Sequence, residues 1–144
     1  MAYNEAIKLS LNNKFKEEIA MLRKAALATG IVFLLIGLLG FVDAFTPDGK
    51  LLGLFLVDGT HNFVHLLSGL AAVIASQRAD WSRLFFKVMG VVYGLVTVLG
   101  FLAGDGGQVL GLFHVNTADN FLHLILSAAF LYLGFGKGAD RAHA

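Results

Sequence analysis

Uncharged, mostly apolar runs dominate the pattern of hydrophobic and polar positions along the chain. Four of them contain no Asp, Glu, Lys or Arg over 17 to 19 residues: Ala25–Val42, Gly59–Gln77, Val88–Gly104 and Asn120–Gly136. A helix that crosses the hydrocarbon of a bilayer needs about 17 to 25 such residues. The pattern therefore predicts four transmembrane helices. We expect no cleaved signal peptide, because the first run follows a long charged segment.

The segment before the first run, residues 1–24, has a different pattern. Five apolar residues recur along it at every third or fourth position: Ile7, Leu11, Phe15, Ile19 and Leu22. This spacing draws one apolar stripe on a helix whose other faces are charged. We expect an amphipathic helix at the cytoplasmic membrane surface, held by anionic lipid headgroups or docked on a partner helix. Asn12 and Asn13 could cap a second helix and break the first, so the segment could form one helix or two.

Composition and charge sharpen this membrane assignment. The chain is 57% hydrophobic and 15% charged, with no cysteine, whereas a soluble domain has about 25% charged residues. Ten of the eleven basic residues lie before the first run, between the second and third runs, or after the fourth. The positive-inside rule therefore predicts that both termini are cytoplasmic. The expected organisation is the segment 1–24, a transmembrane domain over 25–136 and a short cytoplasmic tail over 137–144.

The two halves of the chain resemble each other. Leu52–Leu67 aligned with Leu110–Ile125 gives nine identities in sixteen, and Gly30–Val42 aligned with Gly90–Leu102 gives six in thirteen. Each half holds two spans and returns the chain to its starting side, so we expect parallel halves related by a pseudo-two-fold axis along the membrane normal. The predicted fold is an all-α membrane protein of four transmembrane helices, arranged as two such hairpins.

Two apolar pieces, Leu51–Val57 and Val109–Val115, are too short to cross a membrane. We expect them to be interfacial or re-entrant segments before helices 2 and 4. Each ends next to a residue that can cap the following helix, Asp58 or Asn116. Within the third span, Gly90-x-x-x-Gly94 predicts close helix packing. This packing is expected inside the bundle, and homo-oligomerisation stays open.

A longer motif, V-(D/N)-x-x-(H/D)-N-(F/L)-(V/L)-H, occurs twice after L-G-L-F and ends at His65 and His123. Together with the glycine-rich first span, it resembles the small four-helix bacterial membrane family named domain of unknown function 4383, over about residues 25–136. The resemblance implies the four-helix fold and a bacterial inner membrane, or an internal photosynthetic or respiratory membrane derived from it. It implies no activity, because the family has none established.

One set of polar residues has the side-chain types that ligate metal ions or tetrapyrroles. His61 and His65 share a helix face, and Asp119 and His123 repeat that spacing on the matching helix. If the two faces meet, the four side chains could hold Zn²⁺, Cu²⁺ or Fe²⁺, or His65 or His123 could ligate haem or chlorophyll. The alternative is structural hydrogen bonding within the membrane. That interpretation adds four further residues to the cluster: Asp58, Asn62, Asn116 and Asn120.

Other chemistries lack a signature in this sequence. There is no G-x-S-x-G elbow and no phosphate-binding glycine loop, so we expect no enzyme, and we expect no nucleic-acid binding. Two functions stay open. The first is a non-catalytic accessory, scaffold or assembly subunit of a larger membrane complex, whose partners are the bilayer and other membrane subunits. The second is the binding of a metal ion or tetrapyrrole by the paired histidines.

Overall fold

The computed structural model describes residues 2–136, which form four α-helices and two short β-hairpins. The helices are α1 (Ala2–Leu39), α2 (Gly59–Ala75), α3 (Ala79–Ala103) and α4 (Thr117–Phe135). The strands are β1 (Lys50–Leu51), β2 (Phe55–Leu56), β3 (Gln108–Val109) and β4 (Phe113–His114), paired antiparallel as β1–β2 and β3–β4. The predicted tail over 137–144 lies outside the described residues.

Three of the helices, α1, α3 and α4, are long and apolar enough to cross a membrane. Their outward side chains suit lipid, since residues such as Leu95 and Ile125 are largely exposed. α2 has 17 residues, at the short end of the range of about 17 to 25. The chain is therefore a membrane protein, and three of the four predicted spans have the length and composition that a crossing needs.

The helices pack chiefly in two pairs, α1 with α2 and α3 with α4. Glycines form the closest approaches: a side chain on Gly69 would meet the backbone of Leu34, and one on Gly90 would meet the backbone of Leu131. Small residues let helix backbones come together where lipid supplies no hydrophobic drive to associate. Gly94 faces Ser127 of α4, so the seam predicted at Gly90 and Gly94 lies inside the bundle, as expected.

The N-terminal segment forms one continuous helix with the first span. α1 runs through Asn12 and Asn13 as one helix of 38 residues, about 57 Å long at 1.5 Å per residue. Leu22 and Ala26 are buried in the bundle, whereas Ile7 is exposed. The choice between one helix and two is thus settled as one, and residue 24 is no element boundary. We call residues 2–18 the N-terminal arm.

The two short apolar pieces fold as β-hairpins, which the sequence did not predict. In the first, Leu51 pairs with Phe55 across a turn in which Leu52 and Gly53 both have positive φ, 54° and 72°. Leu110 repeats this conformation with φ 53°. Two consecutive positive φ values make a type I′ turn, whose twist suits a hairpin. A left-handed leucine costs roughly 1 to 2 kcal/mol, so each hairpin tip is strained.

Candidate functional site: the histidine pocket

The first turns of α2 and α4 are capped as predicted. Asp58 Oδ1 accepts the backbone N–H of His61 at 2.8 Å, and Asn116 Oδ1 accepts that of Asp119 at 2.9 Å. The Asp119 carboxylate closes a capping box by accepting the Asn116 N–H at 2.9 Å. Asn116 Nδ2 also donates to the carbonyl of Leu54 in the first hairpin, at 2.7 Å. The capping residue Asn116 therefore also binds the first hairpin.

The two carboxylates also join the halves of the molecule. Asp58, which begins α2, accepts the backbone N–H of His114 in the second hairpin at 2.7 Å, and His114 Nδ1 lies 3.0 Å from the same oxygen. Asp119, in α4, accepts the backbone N–H of Leu56 in the first hairpin at 3.0 Å. Each half thus fixes the hairpin of the other. We call these two connections the cross-half lock.

Hydrogen bonds lower the pKa values of two carboxyl groups, those of Asp58 and Asp105, at the hairpin end of the molecule. Burial raises the pKa of the Asp58 carboxyl, but the hydrogen bonds from His114 and His61 outweigh it and leave the pKa below its ordinary value. Asp105 accepts the backbone N–H of Thr117 at 2.8 Å and its hydroxyl at 3.0 Å, and these bonds lower the pKa of Asp105. Both carboxylates are therefore charged at neutral pH.

Three histidine rings come together, because the faces of α2 and α4 that carry them meet. The His61 and His65 rings stack with centroids 4.8 Å apart, and the His61 and His123 centroids are 5.9 Å apart. His61 Nδ1 lies 3.0 Å from the carbonyl of Leu56. A carbonyl only accepts, so this nitrogen carries a proton. His61 is consequently anchored to the first hairpin.

His65 and His123 are buried without such an anchor. They are only 8% and 3% exposed, yet the Nδ1 atom of each has no hydrogen-bond partner among the described residues. The side-chain oxygens of Asn62 and Asn120 also lack partners. The four residues of the predicted structural cluster therefore fall into two pairs with different contacts. Asp58 and Asn116 form hydrogen bonds, whereas the two asparagines pack closely against glycines at the ends of α1 and α3.

A cavity of about 180 Å³ opens beside these rings, between α2 and α3. Its inner wall consists of Ser68 and the rings of His61, His65, Tyr93 and His123. Its mouth is apolar and includes Val64 and Val92, both of which are exposed toward the lipid side. The arrangement is a small pocket with polar groups at its inner end. We call it the histidine pocket.

The predicted metal site is not supported in its four-residue form. One oxygen of Asp119, Oδ2, accepts the backbone N–H groups of both Leu56 and Asn116, and Asp119 does not line the pocket. Within residues 2–136, no group of three or more His, Asp or Glu side chains is placed to hold a metal ion. The pocket is also small beside the roughly 300 to 1,000 Å³ of sites for drug-sized ligands, which disfavours a tetrapyrrole inside it.

Sequence comparison places this architecture in a family. The sequence profile described as "Domain of unknown function (DUF4383)" matches residues 23–136. The chain belongs to the DUF4383 family. The match spans the cross-half lock and the histidine pocket of this DUF4383 protein and leaves out the N-terminal arm. No curated protein and no solved structure matches the chain.

His114 is the residue at this end whose role the sequence did not reveal. It directly follows the second L-G-L-F sequence, and the matching position after the first is Leu56. Its contact with Asp58 joins residues 56 positions apart. No local spacing in a DUF4383 sequence signals such a pair, because the two positions become neighbours only when both hairpins fold over the helix ends.

Proposed function

We propose that this protein is a non-catalytic accessory or assembly subunit of a larger membrane complex. In this proposal all four helices cross a bacterial inner membrane, or an internal membrane derived from it, and both termini are cytoplasmic. The single observation that carries the proposal is the N-terminal arm. It is a helical continuation of α1 that lies outside the family match and has exposed apolar residues.

The arm has no counterpart in the second half of the chain. Because Gly30 matches Gly90, Ile19 of α1 corresponds to Ala79, where α3 begins. The preceding residues, 2–18, extend the helix by about 25 Å at 1.5 Å per residue. In proteins most of the stability of a helix comes from the packing of its apolar face, which supports a partner protein that covers the arm.

The surface of the arm suits a helical partner. Ile7 and Leu11, both on the apolar stripe, are 41% and 51% exposed. Charges of both signs lie near them, including the Glu5–Lys8 ion pair at 3.3 Å. A mixed-charge surface with an apolar stripe matches the pattern of partner helices that pack in a groove. A purely lipid-binding helix would instead be expected to carry mainly basic residues on its polar face.

Matched contacts in the two halves support four spans and a pseudo-two-fold arrangement. Gly30 lies against Val73 in the first half, as Gly90 lies against Leu131 in the second. A side chain on Gly40 would likewise collide with Asn62, and one on Gly100 with Asn120. α2 thus meets α1 as α4 meets α3, so α2 is expected to cross the membrane as α4 does.

A cross-linking experiment tests the proposed role. A photoreactive amino acid is placed at Leu11 on the apolar stripe, or at the exposed Asn13 as the matched control on the opposite face, in the full chain in its native membrane. We expect a discrete protein adduct from Leu11 and a much weaker one from Asn13. Deletion of residues 2–18 should remove that protein from the native complex, while circular dichroism of the purified bundle stays helical. Adducts to lipid alone would contradict the proposal.

A further inference from the structure

An apolar groove adjoins the histidine pocket. A second cavity of about 510 Å³ lies between α2 and α3 and is lined by residues that include Ile74, Trp81, Phe85 and Met89. Met89 also lines the histidine pocket, so the two cavities are neighbours along the same pair of helices. Together they form an elongated site on the lipid-facing side of the molecule, with polar groups at one end only.

The polar end has unmet hydrogen-bonding capacity. His65 Nδ1 and His123 Nδ1 are buried and unpartnered among the described residues, and a buried polar group left unpaired is destabilising. A neutral imidazole has one N–H donor and one acceptor nitrogen. Both rings line the pocket, so a ligand oxygen inside it would accept a hydrogen bond from an imidazole N–H.

The charge of the site restricts what such a ligand can be. No Asp, Glu, Lys or Arg of the described chain lines either cavity. A phospholipid headgroup or a divalent cation would therefore enter a low-dielectric site without a counter-charge, which is strongly unfavourable. The lining favours a neutral, amphipathic molecule.

The size and shape of the two cavities narrow the choice of ligand further. A cavity of roughly 150 Å³ is known to accept a benzene ring, so about 180 Å³ suits a single substituted six-membered ring. Aromatic rings surround that space, with His61 5.1 Å from Phe113 and Tyr93 5.2 Å from His123 between ring centroids. Such rings can stack on a flat head group. The apolar groove is left for a hydrocarbon tail.

We propose that the histidine pocket and the adjoining groove form a binding site for a membrane quinone. The quinone ring occupies the histidine pocket, where its carbonyl oxygens accept hydrogen bonds from the imidazoles of His65 and His123. The prenyl tail follows the groove past Met89 toward Trp81. This site is separate from the N-terminal arm, so it stands or falls independently of the accessory role.

Binding is measured on the full chain in lipid nanodiscs, titrated with decylubiquinone, with empty nanodiscs as the reference. We expect saturable one-to-one binding, and histidine ring ¹⁵N signals that shift with it. His65→Phe or His123→Phe should weaken binding about tenfold, the loss of one hydrogen bond. Val92→Phe, at the mouth, should block entry. Leu95→Phe, on the same helix but facing outward and 60% exposed, is the matched control and should bind normally.

Stability without quinone separates ligand binding from a structural role. Because the two Nδ1 atoms are unpartnered in the free protein, His65→Phe and His123→Phe should unfold no more easily than the parent. Added decylubiquinone should raise the Tm of the parent, since a ligand stabilises the state that it binds, and should leave the Tm of both variants unchanged. If both histidine variants fail to fold, the comparison of Val92→Phe with Leu95→Phe decides whether decylubiquinone binds in the histidine pocket.

Three results would overturn the proposal. The first is the absence of saturable decylubiquinone binding to the parent protein. The second is equal affinity in the parent, the histidine variants and Val92→Phe. The third is a stoichiometric metal ion or a Soret band that co-purifies with the parent and disappears with His65→Phe, since either would assign the histidine pocket to a different ligand.

Discussion

At the scale of single residues, two carboxylates organise the hairpin end of the molecule. Asp58 and Asp119 each accept one backbone N–H from their own helix and one from the opposite hairpin. A buried N–H that loses its acceptor costs more than an ordinary hydrogen bond contributes, because its desolvation is then uncompensated. These side chains are therefore expected to matter for stability whatever the protein binds.

Substitution of Asp119 tests the cross-half lock. Asp119→Ala leaves the N–H groups of Leu56 and Asn116 without an acceptor and should lower the free energy of unfolding by about 2 to 4 kcal/mol. Asp119→Asn keeps one oxygen that can accept both bonds and should cost clearly less. Unfolding of the detergent-solubilised protein by SDS titration measures both. Equal losses in the two variants would mean that charge, and not hydrogen bonding, holds the lock.

Asp58 gives the lock a pH dependence whose sign follows from its lowered pKa. A carboxyl whose pKa is lower in the folded than in the unfolded state stabilises the fold above its unfolded pKa, and this stabilisation is lost as pH falls through the folded pKa. The free energy of unfolding should therefore drop as the solution is acidified below about pH 4. Asp58→Asn should flatten that part of the profile. Superimposable profiles of parent and variant would contradict this assignment.

Whether the role of a residue could be predicted from the sequence depended on how far apart in the chain its contacts lie. The caps at Asp58 and Asn116 were predictable, because a cap is a local pattern of a few positions. The convergence of His61, His65 and His123 was also predictable from the repeat. The bond from Leu56 to Asp119 was not, since it spans 63 positions and no spacing rule covers it. The direction of the Asp119 carboxylate in turn decided against the four-residue metal site.

At the scale of elements, glycine contacts determine how closely the helices pair. A Cβ on Gly69 would lie 2.8 Å from the Leu34 backbone nitrogen, and one on Gly90 would lie 2.9 Å from that of Leu131. Backbone cannot yield unless the helices separate. Gly69→Ala and Gly90→Ala should therefore each cost about 1 to 3 kcal/mol, as overpacking does, measured in the same SDS titration.

Gly59 provides the matched control for these substitutions. It begins α2, and a Cβ there would meet nothing within 4 Å. Gly59→Ala should be neutral or slightly stabilising, because alanine loses less conformational entropy on folding. If Gly59→Ala were as damaging as Gly69→Ala, helix propensity or folding kinetics would explain the losses better than close packing.

Element boundaries differed from the uncharged runs for a physical reason. α3 begins at Ala79, nine residues before the run that starts at Val88, and it includes Asp80 and Lys87. Absence of charge marks only the part of a helix that can lie in hydrocarbon, whereas hydrogen bonding lets the helix continue into the headgroups and water. The hairpins were missed because a tight turn in which leucine and glycine both have φ > 0 has a weak sequence signal.

At the scale of the whole molecule, the internal repeat and the sorting of charge argue for the same topology. Matched glycine contacts place α2 against α1 as α4 lies against α3, and Lys50 is the one basic residue between the first and second runs or the third and fourth. The N-terminal arm departs from the repeat, since α3 begins at Ala79, which corresponds to Ile19 of α1.

The absence of cysteine permits a clean test of this topology. Asp48 precedes α2 and Gln77 follows it, both exposed, so Asp48→Cys and Gln77→Cys introduce one thiol on either side of that helix. If α2 crosses the membrane and both termini are cytoplasmic, a membrane-impermeant maleimide should label Asp48→Cys in spheroplasts, and Gln77→Cys only after the membrane is opened. The opposite result would reverse the orientation. Labelling of both thiols in intact spheroplasts would mean that α2 does not cross, leaving three spans.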